Sequence, residues 1–281
     1  MSKSVKGVAL VFASALFFSF GGVFIKLSPW SAMALSGGRS LFATLLIVFL
    51  MLLRKRGPIV NKWTMLGGLG VFATSTLFIQ ANKLTTAANA AVLHFTMPVF
   101  VIIFSAIFLH RKPKKLDAVT CAFVLAGIVC LFLDGISAGG GLGNVLALIS
   151  GVTYSVVFFM GEMPDSDPLS SAFFGQLICA LAGLPFVFRE TEFSFLSILC
   201  VVLLGVLEEG MGYVCLSLGI RDTPPVAASL ISGAEPVLTP VWVALFYPEE
   251  KISPMAFVGI VIVLGAIITY NAFKAGAGND A

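Results

Sequence analysis

Thr85-Thr86-Ala87-Ala88-Asn89-Ala90-Ala91-Val92-Leu93-His94-Phe95-Thr96-Met97-Pro98-Val99 and Thr223-Pro224-Pro225-Val226-Ala227-Ala228-Ser229-Leu230-Ile231-Ser232-Gly233-Ala234-Glu235-Pro236-Val237 are two versions of one pattern, 138 residues apart. The alignment runs without a gap over 85–133 and 223–271, pairing Thr85 with Thr223, Ala90 with Ala228, Pro98-Val99 with Pro236-Val237, Ala106 with Ala244, Phe108 with Phe246 and Gly127 with Gly265. Upstream, at shifts of 136–137, Gly7 pairs with Gly143, Ser14 with Ser150, Ser19 with Ser155, Gly38 with Gly175 and Ala43 with Ala180. Chance matches are easy in apolar sequence, so the near-constant shift and the proline pair carry the argument for an internal repeat.

Composition says what is repeated. Of 281 residues, 58% are hydrophobic and 11% charged, with 26 Phe and a mean hydropathy of +1.03. An ordinary globular domain carries roughly 25% charged residues, so a soluble domain is excluded. The apolar runs are continuous, not alternating, and about 20 residues long, which reads as helices across a ~30 Å hydrocarbon layer and not as a barrel. Punctuation by charge, Gly and Pro gives spans near 5–27, 31–53, 63–82, 87–109, 117–134, 143–161, 169–188, 195–218, 226–246 and 254–273. The expected fold is therefore an all-α polytopic membrane protein, ten transmembrane helices in two five-helix repeats around a central cavity. Residues 1–135 form the first repeat, 136–142 a connecting loop, 143–273 the second repeat and 274–281 a cytoplasmic tail. The first run is read as a span, not a cleaved leader, because it continues to Ile25 and has a counterpart later in the chain.

Five is odd, so the two repeats must cross in opposite senses, and equivalent loops should differ in charge. The loops after spans two and four carry Arg54, Lys55, Arg56, Lys62 and Arg111, Lys112, Lys114, Lys115, whereas their counterparts carry Arg189, Glu190, Glu192 and Glu249, Glu250, Lys251. With both termini in the cytoplasm, 12 Lys and Arg lie inside, four (Lys26, Lys83, Arg189, Lys251) lie outside, and Arg39 lies within a span. That satisfies the positive-inside rule for a cytoplasmic (inner) membrane. The basic loops are explained by topology and anionic lipid, and nucleic acid is not a partner. The five Cys are scattered singly without metal or disulfide spacing, no GxxxxGK[ST] phosphate loop occurs, and no cofactor is expected.

The repeat, the Asn- and Ala-rich entry to span four and Ala-Ser-Leu-Ile-Ser-Gly-Ala-Glu-Pro-Val at 228–237 together resemble the EamA-type members of the drug/metabolite transporter superfamily over essentially the whole chain. The resemblance implies a cavity between the halves, lined mainly by spans one, three, four, six, eight and nine, with five and ten peripheral. It implies transport of a small molecule, over a cargo range from amino acids to quaternary amines. Two departures stand out: Met97 precedes the proline of span four where Glu235 precedes that of span nine, and Glu208-Glu209 lies within span eight.

An ionisable group near the bilayer centre costs some 2.5–3.5 kcal/mol on insertion scales and normally faces a cavity or a partner. Arg39, His94, Glu208, Glu209 and Glu235 all lie well within spans. Glu235 reads either as a cation site and proton acceptor or as a hydrogen bond fixing spans four and nine. By helical rise, His94 lies about 11 Å and Glu235 about 16 Å below the outer surface, close enough for a proton relay between them. Adjacent helical residues diverge by about 100°, so Glu208 and Glu209 should point apart, one to the cavity and the other to a partner helix or water. Arg39 is expected to pair with a carboxylate or with helix carbonyls. Pro98 and Pro236 lack N–H groups, which withdraws the helical donor from the His94 and Ser232 carbonyls and makes both prolines candidate hinges. Phe78, Tyr154 and Tyr213 offer aromatic faces to an ammonium group, and Ser232 and Asn89 offer hydrogen bonds.

An interior with three carboxylates and few counter-charges favours a cationic or zwitterionic cargo. The expected function is a secondary transporter that moves a small amine-bearing metabolite, such as an amino acid, by alternating access, with export as the direction and proton coupling through Glu235 and His94. An importer of quaternary ammonium compounds such as choline is the alternative within transport. An intramembrane lipid-modifying enzyme is the alternative outside it, although HExxH and GxSxG are absent and no enzyme is expected.

Overall fold

The computed structural model describes residues 3–108, 110, 115–137, 140–247, 249 and 253–277. Arg111, Lys112, Lys114, Glu250 and Lys251 of the charged loops, residues 138–139 of the connecting loop and the end of the tail from 278 lie outside the described residues. Every described element is helical. Eight segments are long and apolar enough to cross a membrane: α1 (Val5–Leu27), α2 (Ala32–Leu53), α3 (Lys62–Leu84), α4 (Ala87–Phe108), α6 (Gly141–Met160), α7 (Pro168–Val187), α8 (Phe195–Gly219) and α9 (Ala227–Phe246). Two further helices, α5 (Lys115–Ser137) and α10 (Pro254–Ala277), pack against each other. The chain is thus a multi-pass α-helical membrane protein. Its outward face carries Phe49, Leu52, Phe123, Phe257 and other exposed apolar residues, as lipid contact requires.

The links between spans are written in capping residues. Ser31, Asn61, Thr86, Asp167 and Ser194 accept hydrogen bonds from the N–H groups of Ala34, Thr64, Asn89, Ser170 and Ser197, and so start α2, α3, α4, α7 and α8.

Glycine contacts fix the helix directions. Gly37 near the start of α2 meets the backbone of Gly183 near the end of α7 with no room for a Cβ on either, so these helices run antiparallel. Gly67 faces Ser171 and Gly175 faces Val71, which makes α3 and α7 parallel. Gly38 against Val201 and Gly205 against Arg39 make α2 and α8 parallel. Gly7 at the start of α1 meets Gly219 at the end of α8 and Thr223 beyond it, and Gly143 at the start of α6 meets Leu84 at the end of α3 and Thr85 just after it. Without hydrophobic drive between helices in lipid, such close backbone approach is what holds the bundle.

The two ends are tied differently. At one, Lys26 Nζ donates to the Thr85 carbonyl at 2.7 Å, Lys83 Nζ to that of Ser28 at 2.6 Å, and Trp30 Nε1 to that of Glu192 at 2.8 Å. At the other, the buried Asp167 carboxylate takes Arg56 at 3.1 Å and also Arg221. Valine at Gly183 should therefore force α2 and α7 apart at a cost of about 1–3 kcal/mol. Thermal unfolding in detergent should show a clear loss for Gly183→Val and none for Gly57→Ala, whose added Cβ has nothing within 4 Å.

Candidate functional site

Four spans depart from regular helix, and the departures cluster around the bundle's interior. α1 breaks at Phe20, α4 turns at Phe95-Thr96, α9 turns at Ser232-Gly233, and α8 passes through a π-helical segment, Leu204–Met211. The α4 and α9 turns lie immediately before Pro98 and Pro236, so the missing N–H groups do interrupt both helices at matching places. One expectation needs correcting: the Ser232 carbonyl is not left free, because the tighter turn lets Glu235 N–H donate to it at 3.0 Å. The His94 carbonyl lies against α6, where a Cβ on Gly151 would come within 2.6 Å of it.

Between these breaks lies a cavity lined by Phe18, Arg39, Thr74, Ser75, Phe78, His94, Tyr154, Glu208, Glu209, Tyr213 and Glu235. Its free volume, about 20 Å³, admits roughly one water molecule. Arg39, fully buried, holds it together: Nη1 meets Glu208 Oε2 at 2.6 Å and Nη2 meets Glu209 Oε1 at 2.6 Å. Nη2 also donates to Ser75 Oγ at 2.9 Å. Glu208 and Glu209 therefore do not diverge to separate partners as expected. Both residues lie in the π-helical segment, and both carboxylates reach one planar guanidinium.

The donors are unequally shared. Glu209 accepts from Arg39, from Ser75 Oγ at 2.7 Å and from Gln176 Nε2. Glu208 accepts from Arg39. The Glu235 carboxylate, 3% exposed, has no hydrogen-bond or ion-pair partner among the described residues. His94 lines the same cavity, stacked on Tyr154 with centroids 4.8 Å apart and close to Phe78 at 4.8 Å, but it does not hydrogen-bond to Glu235. Its Nδ1 lies 2.9 Å from Ser150 Oγ, whose single hydrogen goes to the Ala147 carbonyl at 2.6 Å. Ser150 must then accept, so neutral His94 carries its proton on Nδ1 and presents Nε2 as an acceptor.

Of the residues singled out from sequence, Glu208, Glu209, Glu235, His94, Tyr154, Tyr213 and Phe78 meet in this cavity. Ser232 and Asn89 do not line it. Ser232 Oγ donates back to the Ala228 carbonyl at 3.0 Å, and Asn89 sits in the first turn of α4 under the Thr86 cap. Gln176 was missed, although the signal existed: at a shift of 137 it is the repeat counterpart of Arg39.

A helical membrane bundle enclosing an ionised, aromatic-walled cavity is the build of a solute transporter. Residues 5–133 and 141–272 match the EamA-like transporter family, and the chain belongs to that family. It is similar to an "Uncharacterized transporter" of Clostridium kluyveri, 28% identical over 96% of this chain and 94% of the relative. The "Uncharacterized inner membrane transporter YedA" of Escherichia coli K12 is 24% identical over 90% of this chain and 87% of its own length. "Solute carrier family 35 member G1" of Mus musculus is 32% identical over 44% of this chain and 35% of that one. A solved crystal structure with 18% identity superposes at a TM-score of 0.71, covering 97% of this chain and 99% of the other, which speaks for the fold.

Removing the guanidinium alone leaves two buried carboxylates uncompensated, so Arg39→Met should lower stability by about 3–5 kcal/mol. Adding Glu208→Gln and Glu209→Gln should recover more than half of that loss. Chemical unfolding in detergent compares the three proteins, and a harmless single variant would contradict the structural weight given to Arg39.

Proposed function

We propose that the chain is a secondary transporter that moves a small amine-bearing metabolite, such as an amino acid, by alternating access of two inverted five-helix halves. The direction is export across the cytoplasmic membrane, with both termini inside and proton coupling through Glu235 and His94. The inversion is supported by α2 and α7, counterparts in the repeat that run antiparallel, and by the twin contacts of Gly7 with Thr223 and Gly143 with Thr85, themselves repeat-related pairs. The family match falls once in each half. Crossing by α5 and α10 is supported by their 23 and 24 residues, enough to exceed ~30 Å as helix.

The observation that carries the cargo class is the charge of the cavity. Three carboxylates face one guanidinium, and that guanidinium is engaged by Glu208 and Glu209, which leaves Glu235 for a cation. A metabolite is larger than the water-sized space, so binding requires α1 to part from α4 and α6 while the Arg39 cluster keeps α2, α3, α7 and α8 together. The breaks at Phe20, Phe95-Thr96, Leu204–Met211 and Ser232-Gly233 are where such bending concentrates. Pro98 and Pro236 serve as the hinges. A second reading, import of a quaternary ammonium compound, is favoured by Phe18, Phe78, Tyr154 and Tyr213, which share the cavity with Glu235 as an aromatic cage would.

Counterflow in liposomes with labelled L-phenylalanine, L-lysine, a primary amine and choline tests both. Saturable flux of an amino acid or primary amine above choline supports the first reading, and the reverse order supports the second. Glu235→Gln should reduce the flux at least ~10-fold, equivalent to about 1.4 kcal/mol of lost cation binding. Normal transport by Glu235→Gln at every pH would overturn the role of this carboxylate.

A further inference from the structure

A second polar feature runs beside the cavity. α2, α3 and α7 pack on one another; Gln80 on α3 reaches Met33 on α2, Thr76 on α3 and Ser40 on α2 lie against Cys179 on α7, and Ser36 falls on the same stripe of α2 as Met33 and Ser40. The contacts along it are close: Gln80 Nε2 lies 3.8 Å from Met33 Sδ, and Thr76 Oγ1 lies 3.7 Å from Cys179 Sγ. One end opens on a cavity of about 350 Å³ bounded by Ser31, Met33, Gln80, Lys83 and Phe186. The other end is Glu209, reached through Gln176 Nε2 and Ser75 Oγ. From Met33 to Arg39 along α2 is about 9 Å at helical rise.

Ser36 Oγ and Arg39 Nε on this stretch, and Oε1 of Gln176 where it reaches Glu209, are buried without partners. Each unpaired buried polar atom costs about 1–3 kcal/mol, and three so placed point to a ligand that serves them all. Water is the ligand small enough, since Gly37 and Gly183 bring α2 and α7 into backbone contact. We propose that this α2–α3–α7 file holds water and conducts protons between the Lys83 vestibule and Glu209, apart from the route of the cargo. The inference rests on the proton-coupled transport reading and gives the proton a route within it.

The hydroxyls of Ser36, Ser40 and Thr76 can each accept one hydrogen bond and donate another, which a relay needs. One proton arrives from vestibule water, each O–H bond in the file shifts by one place, and the Glu209 carboxylate becomes a carboxylic acid. The charged and titratable groups facing Glu209 are Arg39 on α2, His94 on α4, Tyr154 on α6, Cys179 on α7, Glu208 and Tyr213 on α8, and Glu235 on α9.

Cys179 stands on the file and is buried, so it reports water access. The full-length protein with Cys179 as its sole thiol, in nanodiscs, is treated with silver ion, which reaches thiols through water. The thiols left unreacted are then counted by alkylation after denaturation. Cys179 should be blocked at least ~10-fold faster than Cys215 in the matching sole-thiol protein, because only the former adjoins a wetted polar path. Ser36→Leu should abolish that advantage and Ser36→Thr should keep it. Equal rates for Cys179 and Cys215, or no difference between the two Ser36 variants, would overturn the file. Silver access with wild-type flux of choline and L-phenylalanine indifferent to a pH gradient would overturn proton conduction while leaving amine transport standing. Absence of flux for every amine tested would instead overturn the transport reading.

Discussion

A guanidinium fully enclosed in a helix bundle keeps its charge and is tolerated only where anions face it, and the interior of this protein is arranged around that requirement. Arg39 meets two carboxylates at 2.6 Å each, and they come from adjacent residues of another helix. The two glutamates lie in the π-helical segment of α8, and their side chains converge on one guanidinium. Glycines then let the backbones close in: Gly205 sits against the Arg39 carbonyl, and Gly21 would bring a Cβ within 2.7 Å of Glu208 Oε1. The ion cluster thus ties α2, α3, α7 and α8 and leaves Glu235 outside it.

Much of this was legible in the residues, and the reasons for success and failure are physical. Hydropathy located the helices because lipid leaves few alternatives to a continuous apolar run. The prolines located the interruptions in α4 and α9 because a missing N–H acts on its own helix. Charges within spans located the cavity because they are too costly to scatter. The joint engagement of Glu208 and Glu209 was hidden, since backbone directions about 100° apart do not show where two long, flexible side chains end. Ser232 misled because serine satisfies local backbone as readily as a distant ligand, and Asn89 because its place in the first turn of α4 keeps it off the cavity wall. Gln176 is uncharged and drew no notice in an apolar span, although its register with Arg39 marks it.

The two ends of the bundle have different chemistries, and that difference bears on movement. Lys26 and Lys83 each reach across to a carbonyl at the end of another span, contacts that survive small rotations of flexible side chains. Asp167 instead joins Arg56 and Arg221 while capping α7, an ionic junction with more to lose when the elements separate. A bundle clamped by salt bridges at one end and by lysine–carbonyl bonds at the other has unequal closures on its two sides.

The central claim is that the enclosed cavity selects positive charge. Thermal stabilisation of the purified protein by three solutes of similar size, phenethylammonium, phenylpropionate and phenylalanine, tests it most directly, because ligand binding to the folded state alone raises the midpoint. The account predicts stabilisation by phenethylammonium or phenylalanine and none by phenylpropionate. Stabilisation by phenylpropionate equal to or greater than that by its amine counterpart would contradict it.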